Sequence, residues 1–207
     1  MQILDTFFAI VVLVMSVVIH EVAHGFMAYR LGDKTAFYAN RLTLNPIKHL
    51  DPFGSVMLPI LLALSNTGFV FGWAKPVPYN PNNIQSGKKG ELKVALAGIV
   101  ANTFIAILFS LFIRASLYFG LMNEVLLGAL STIVVINLLL AVFNLMPIPP
   151  LDGSKVIFSL LPYRYENLRY SIEKYSFVLI IIFVFFIWQY VSPIVIHLFS
   201  FLTGINF

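Results

Sequence analysis

The sequence predicts an all-α polytopic membrane protein with about four full transmembrane helices and one re-entrant hydrophobic segment. The first sign is composition. Of 207 residues, 59% are hydrophobic and 11% charged, and mean hydropathy is +0.91, whereas an ordinary soluble domain has roughly 25% charged residues. The second sign is the spacing of apolar runs. Residues 4–30, 92–119, 125–146 and 175–202 each supply the ~20 predominantly apolar residues that cross a ~30 Å hydrocarbon layer. The third is a set of ionisable groups, His20-Glu21-Val22-Ala23-His24, inside the first of those runs. Residues 1–207 then read as a single integral membrane domain with no room for a sizeable soluble one.

The first helix carries no charge from Thr6 to Ile19. At ~1.5 Å per residue, His20 lies roughly 24 Å along a helix that starts near Leu4. A charged group near the bilayer centre costs about 2.5–3.5 kcal/mol on insertion scales, so such residues face a partner or a wet cavity. A metal ion is one such partner. His20 and His24 are one turn apart and share a helix face, which suits two imidazole ligands of one Zn²⁺. Glu21 is turned about 100° from that axis and can reach a water there as general base. In a soluble helix the same pentapeptide also reads as two histidines satisfied by backbone carbonyls; an apolar span favours the metal. The run lacks the basic start and small-residue cleavage site of a signal peptide.

Segment 52–73 differs from the four spans. Its continuous apolar run, 56–64, contains Pro59, and Ser65-Asn66-Thr67-Gly68 reads as a turn. So short a run is re-entrant or interfacial rather than spanning. The charges support that reading. If 52–73 returns to its own side, loops 30–93 and 147–174 share one face and hold twelve of the thirteen Lys and Arg residues. The other face holds none, because Arg114 falls inside a span. A crossing segment would split the charges between the two faces, against the positive-inside rule. Both long loops are then cytoplasmic and both termini outside.

That topology brings a third ligand to the histidines. The helix over 125–146 also runs inward and ends at Asn144-Leu145-Met146-Pro147-Ile148-Pro149-Pro150-Leu151-Asp152-Gly153. Three prolines in four residues stop a regular helix. Irregular backbone at this depth is tolerated only against protein or a wet cavity. Asp152 is therefore expected on an unwound segment at the depth of His20 and His24. It completes a His₂-carboxylate set with the fourth position open to water, as catalytic zinc sites require.

His20-Glu21-x-x-His24 in a membrane helix, followed by Asn144-x-x-Pro147-x-x-Pro150-Leu151-Asp152-Gly153, resembles the site-2 protease family of intramembrane zinc metalloproteases. Ala97-Gly98-x-x-x-Asn102 is similar to the family's third-helix motif, with Ile99 where many members have Pro. Phe71-Gly72-Trp73-Ala74-Lys75-Pro76-Val77-Pro78 resembles the loop of its short members. The likeness runs from Ile19 to about Lys174 and suggests a minimal member without PDZ or CBS domains. It implies one zinc per chain on His20, His24 and Asp152, with Glu21 as the base. It also implies substrate or oxyanion contacts from Asn144 and Asn102, although Asn102 also suits a helix–helix hydrogen bond. The implied activity is cleavage of another protein's transmembrane segment at the cytoplasmic side of a bacterial-type inner membrane. The implied partners are that substrate and the lipid bilayer.

Other features carry less. Residues 41–46 alternate with period two and offer an edge strand to an unwound substrate, or simply a loop hairpin. His49 and Asp51 lack a third ligand and suit a turn before Pro52. His197, after Pro193 in the last helix, suits a carbonyl freed by a proline kink. Gly98 and Ala101 suit close helix packing. The pI near 9.3 does not point to nucleic acid, since no basic run exceeds Lys88-Lys89. The absence of cysteine excludes disulfides and thiolate ligands. The competing functional class is a non-proteolytic membrane metal-binding protein or metal transporter. A transporter needs more polar groups along a path, and often an internal repeat; neither is found.

Overall fold

The computed structural model describes residues 2–57, 61 and 74–205, and among them there is no β-strand. In chain order the helices are α1 (Gln2–Arg30), α2 (Thr35–Tyr38), α3 (Lys88–Tyr118), α4 (Glu124–Leu145), α5 (Asp152–Leu160), α6 (Glu166–Lys174) and α7 (Ser176–Thr203). α1, α3, α4 and α7 are each long and apolar enough to cross a membrane. These are the four spans that the sequence predicts.

Local chemistry sets the ends of these helices. Asp5 in the first turn and Arg30 in the last complement the α1 dipole, and Gly32 then takes a left-handed conformation at φ +103°. Asn123 caps α4, its side chain accepting from the Leu126 N–H at 2.8 Å. At the far end Pro147 follows directly, and the chain turns through Ile148 to Leu151 before α5 begins. α7 is irregular at Phe183–Ile187, where it forms a π-helical turn, and helix continues through Pro193.

Three of the four spans, α3, α4 and α7, share one apolar core. Ala106 and Ile113 of α3, Val134, Leu138 and Val142 of α4, and Val195 and Phe199 of α7 are buried together. A second cluster joins Leu151 to Ile180 and Phe183, with Phe143 and Trp188 against it. Phe104, Leu111, Phe185 and Phe201 point outward, as side chains facing lipid do. Arg114 is reconciled with its place in a span by capping: Nε donates to the Leu202 carbonyl and Nη2 to that of Phe201, both at 2.6 Å. A cation at a helix C-terminus is favoured there.

Of the smaller expectations, the two turn residues are met and the strand and the His197 bond are not. Residues 41–45 form no strand. No partner strand exists among the described residues, and Asn45-Pro46 opens a 3₁₀ turn, Pro46–His49, capped by Asn45. Asp51 caps a π-helical turn, Pro52–Met57, by accepting from the Phe53 and Gly54 N–H groups. His49 is buried on the Thr43 carbonyl at 2.8 Å. Both are turn residues. His197 is exposed and takes up no freed carbonyl among the described residues; the Gln189 carbonyl, left without the proline's N–H, is approached instead by Ser192 Oγ at 3.5 Å. The re-entrant segment expected over 52–73 lies, from residue 58 on and apart from residue 61, outside the described residues.

The loop after α1 is held by a buried carboxylate. Asp33 accepts from Thr35 N–H and Oγ1, from Asn80 N–H at 2.7 Å and from Asn83 Nδ2. Burial alone would raise its pKa, but these bonds, Thr35's foremost, stabilise the charged form and hold it below the ordinary carboxylate value. The segment entering α3 is thereby fastened to the end of α1.

Candidate active site

α1 carries His20 and His24 on one face, and α3 runs against that face. Gly98 makes the approach possible, since a Cβ there would stand 2.5 Å from His24 Nε2 and 2.6 Å from His20 Nε2. The small residue noted for helix packing thus lies directly against the two imidazoles. α5 delivers the third group. Asp152 is its first residue, in helix rather than on an unwound segment as expected. The prolines end α4, but Asp152 and Gly153 can already start a new helix, and a carboxylate is favoured in a first turn. Gly153 permits the tight return, because a Cβ would overlap the carbonyl oxygens of Leu145 and Met146.

His20, His24 and Asp152 are 5%, 7% and 4% exposed, and their contacts define which atoms carry protons. The carbonyls of Ile133 and Ser16 can only accept, so they orient the amides of Asn137 and Asn102. Asn137 Oδ1 then accepts from Asn102 Nδ2 at 2.9 Å, and Asn102 Oδ1 faces His20 Nδ1 at 2.6 Å. His20 Nδ1 must therefore donate. The Val94 carbonyl likewise requires a proton on His24 Nδ1, at 2.7 Å. Both Nε2 atoms are left with lone pairs.

Those lone pairs converge. The two Nε2 atoms are 3.0 Å apart, and each is 2.9 Å from Asp152 Oδ2. A single added proton can bridge only one of these three pairs. One metal ion satisfies all three. A tetrahedral ion with bonds of about 2.0–2.1 Å wants its donors about 3.3 Å apart, a few tenths of an ångström more than observed. Among the described residues these are the three ligating groups that come together, and the donor set fits a metal.

Around them lies a shell that the sequence reading partly missed. Asn102 is fully buried, and its amide hydrogens go to Ser16 and Asn137. It orients His20 and has no donor left for a substrate. Asn137 and Ser16 were not singled out, although each is a polar residue inside an apolar span, which is the available signal. Lys155 Nζ holds Asp152 Oδ1 at 2.9 Å, leaving Oδ2 for the histidines. Asn144 is half-buried, and its amide returns to the Leu140 carbonyl at 3.0 Å; it touches none of the three converging groups. Glu21 is also half-buried, and its Oε2 accepts from the Val77 N–H at 2.8 Å.

Comparison with known proteins agrees with this geometry. The sequence model of Peptidase family M50 matches residues 119–187. YwhC of Bacillus subtilis (strain 168), provisionally named a zinc metalloprotease, is 36% identical over 184 residues, covering 84% of this chain and 78% of the relative. Rip2 of Mycolicibacterium smegmatis, provisionally named in the same way, is 34% identical over 140 residues, covering 67% of this chain and 51% of that protein. No solved structure matches significantly. With His20, His24 and Asp152 buried together as a donor set that fits a metal, four membrane-length helices, and a relative this similar over most of both chains, the protein is a metallopeptidase of Peptidase family M50, the site-2 protease family.

Proposed function

We propose that residues 1–207 form one intramembrane zinc endopeptidase domain that cleaves transmembrane segments of other membrane proteins. The observation that carries the reading is the convergence of two buried imidazole lone pairs on a buried carboxylate oxygen, in a chain with four helices long enough to span a bilayer. His20 Nε2, His24 Nε2 and Asp152 Oδ2 would hold one zinc ion per chain. Zinc when bound supplies a Lewis acid that polarises a carbonyl and lowers the pKa of water toward ~7. Glu21 takes the proton of the attacking water and returns it to the leaving amine. Asn102, held by Asn137 and Ser16, keeps the His20 ring turned so that Nε2 faces inward. Asn144 retains one amide hydrogen for a substrate carbonyl.

The substrate must unwind locally, because a peptide bond inside a helix is shielded by its own hydrogen bonds. The charge distribution supports a cytoplasmic-side site in a bacterial-type cell membrane, because with 52–73 re-entrant twelve of thirteen basic residues fall on the face where α1 ends. The test compares membrane proteomes of cells carrying the wild-type chain or Glu21→Gln. Uncut membrane proteins should accumulate with Glu21→Gln, and their fragments should disappear. Identical proteomes from a variant that still binds zinc would reject the proteolytic reading.

A further inference from the structure

Glu21 does not stand alone above its helix. Its Oε2 accepts from the N–H of Val77 at 2.8 Å. Val77 lies between Pro76 and Pro78, neither of which has an N–H, so it is the one backbone donor of that tripeptide. The residue before a proline is confined to extended conformations, which restricts both Lys75 and Val77. The Val77 side chain is buried at 5% exposure and rests on Gly25, where a Cβ would come within 2.6 Å of Val77 Cγ1.

The strap is also anchored from outside α1. Arg41 is 7% exposed, and its Nη2 donates to the carbonyls of Lys75 at 2.6 Å and Pro76 at 3.3 Å. The Lys75 N–H in turn donates to the His49 carbonyl at 2.9 Å. A guanidinium is costly to bury unless it is used, and here it is used on the two residues just before Val77.

We propose that residues 75–78 are a positioning strap for the catalytic base, with Arg41 as its clamp and the Val77 N–H as its point of action. The strap holds one carboxylate oxygen of Glu21 and leaves the other free to meet water. The inference rests on the endopeptidase reading above and assigns Arg41 and Val77 roles outside metal binding.

The experiment uses the full chain in proteoliposomes and a transmembrane peptide that the wild type cleaves, with zinc content measured on the same samples. Val77→Pro removes the N–H together with the isopropyl group at a position already held extended before Pro78, and Val77→Ala removes the isopropyl group but keeps the N–H. A misplacement of about 1 Å can cost roughly 100-fold in rate. Val77→Pro should therefore lower kcat by roughly that factor, with KM and zinc unchanged, while Val77→Ala, which loses packing on Gly25 but not the N–H, should lower it by a much smaller factor. Arg41→Gln should lower kcat in the same direction by a smaller factor, again with zinc retained. Wild-type kcat in Val77→Pro, an equal loss in Val77→Ala, or a loss that follows zinc content would overturn the Val77 assignment. Wild-type kcat in Arg41→Gln would overturn the clamp. A wild-type protein that binds zinc yet cleaves no transmembrane peptide would overturn the endopeptidase reading and this inference together.

Discussion

Lys155 shows how a single residue tunes the triad. By holding Asp152 Oδ1 at 2.9 Å it leaves one carboxylate oxygen facing the histidines and supplies positive charge beside a buried anion. Partners of metal ligands are typically worth 10–100-fold in metal affinity. Lys155→Ala should weaken zinc binding by about that factor in a chelator competition, and Lys155→Arg should recover most of it. Unchanged affinity in Lys155→Ala would show that Asp152 needs no such partner. At this scale legibility depended on side-chain chemistry at short spacing. His20, Glu21 and His24 lie within five residues on one helix, so their geometry follows from helical periodicity alone. Asn137 and Ser16 act from elsewhere in the chain, and nothing local distinguishes them from polar residues that merely join helices. Val77 was less legible still, because it contributes a backbone N–H that almost every residue has.

The segment between α4 and α5 is where an element's end becomes part of the site. Pro147, Pro149 and Pro150 stop α4, and Gly153 lets α5 begin beneath the last α4 carbonyls. Each interior proline costs a helix about 3 kcal/mol, so replacing all three with Ala should let α4 continue. Asp152 would then lie about 12 Å along the axis beyond Asn144, away from the histidines. The triple variant should insert normally but bind zinc weakly and cleave nothing. Full zinc content and activity would mean that the prolines do not position the carboxylate. Long apolar runs made the four spans plain from sequence. α5 was not, because nine residues containing Gly153 and two serines carry little helical signal and derive their order from packing against α3 and α4. Residues 41–46 misled for the opposite reason: period-two alternation marks a strand only where another strand is there to pair with it.

Among the described residues Ser16, Asn102 and Asn137 are buried between the spans while Phe104, Leu111, Phe185 and Phe201 face out, so membrane orientation decides which side the site serves. Cysteines placed at Lys48, Lys88 and Arg164 should all react with a cytoplasmic-side label and with none added outside, as the distribution of basic residues requires. Opposite labelling of Lys48 and Lys88 would mean that 52–73 crosses, and the loops flanking it would lie on different faces. The account as a whole turns on a division of labour between holding the metal and moving the proton. The most direct measurement is zinc per chain in the purified wild type, Asp152→Ala and Glu21→Gln, each paired with a cleavage assay. The wild type should hold about one zinc, Asp152→Ala should lose most of it, and Glu21→Gln should keep it while cleaving nothing. Zinc lost from Glu21→Gln but kept by Asp152→Ala would contradict the assignment of both residues.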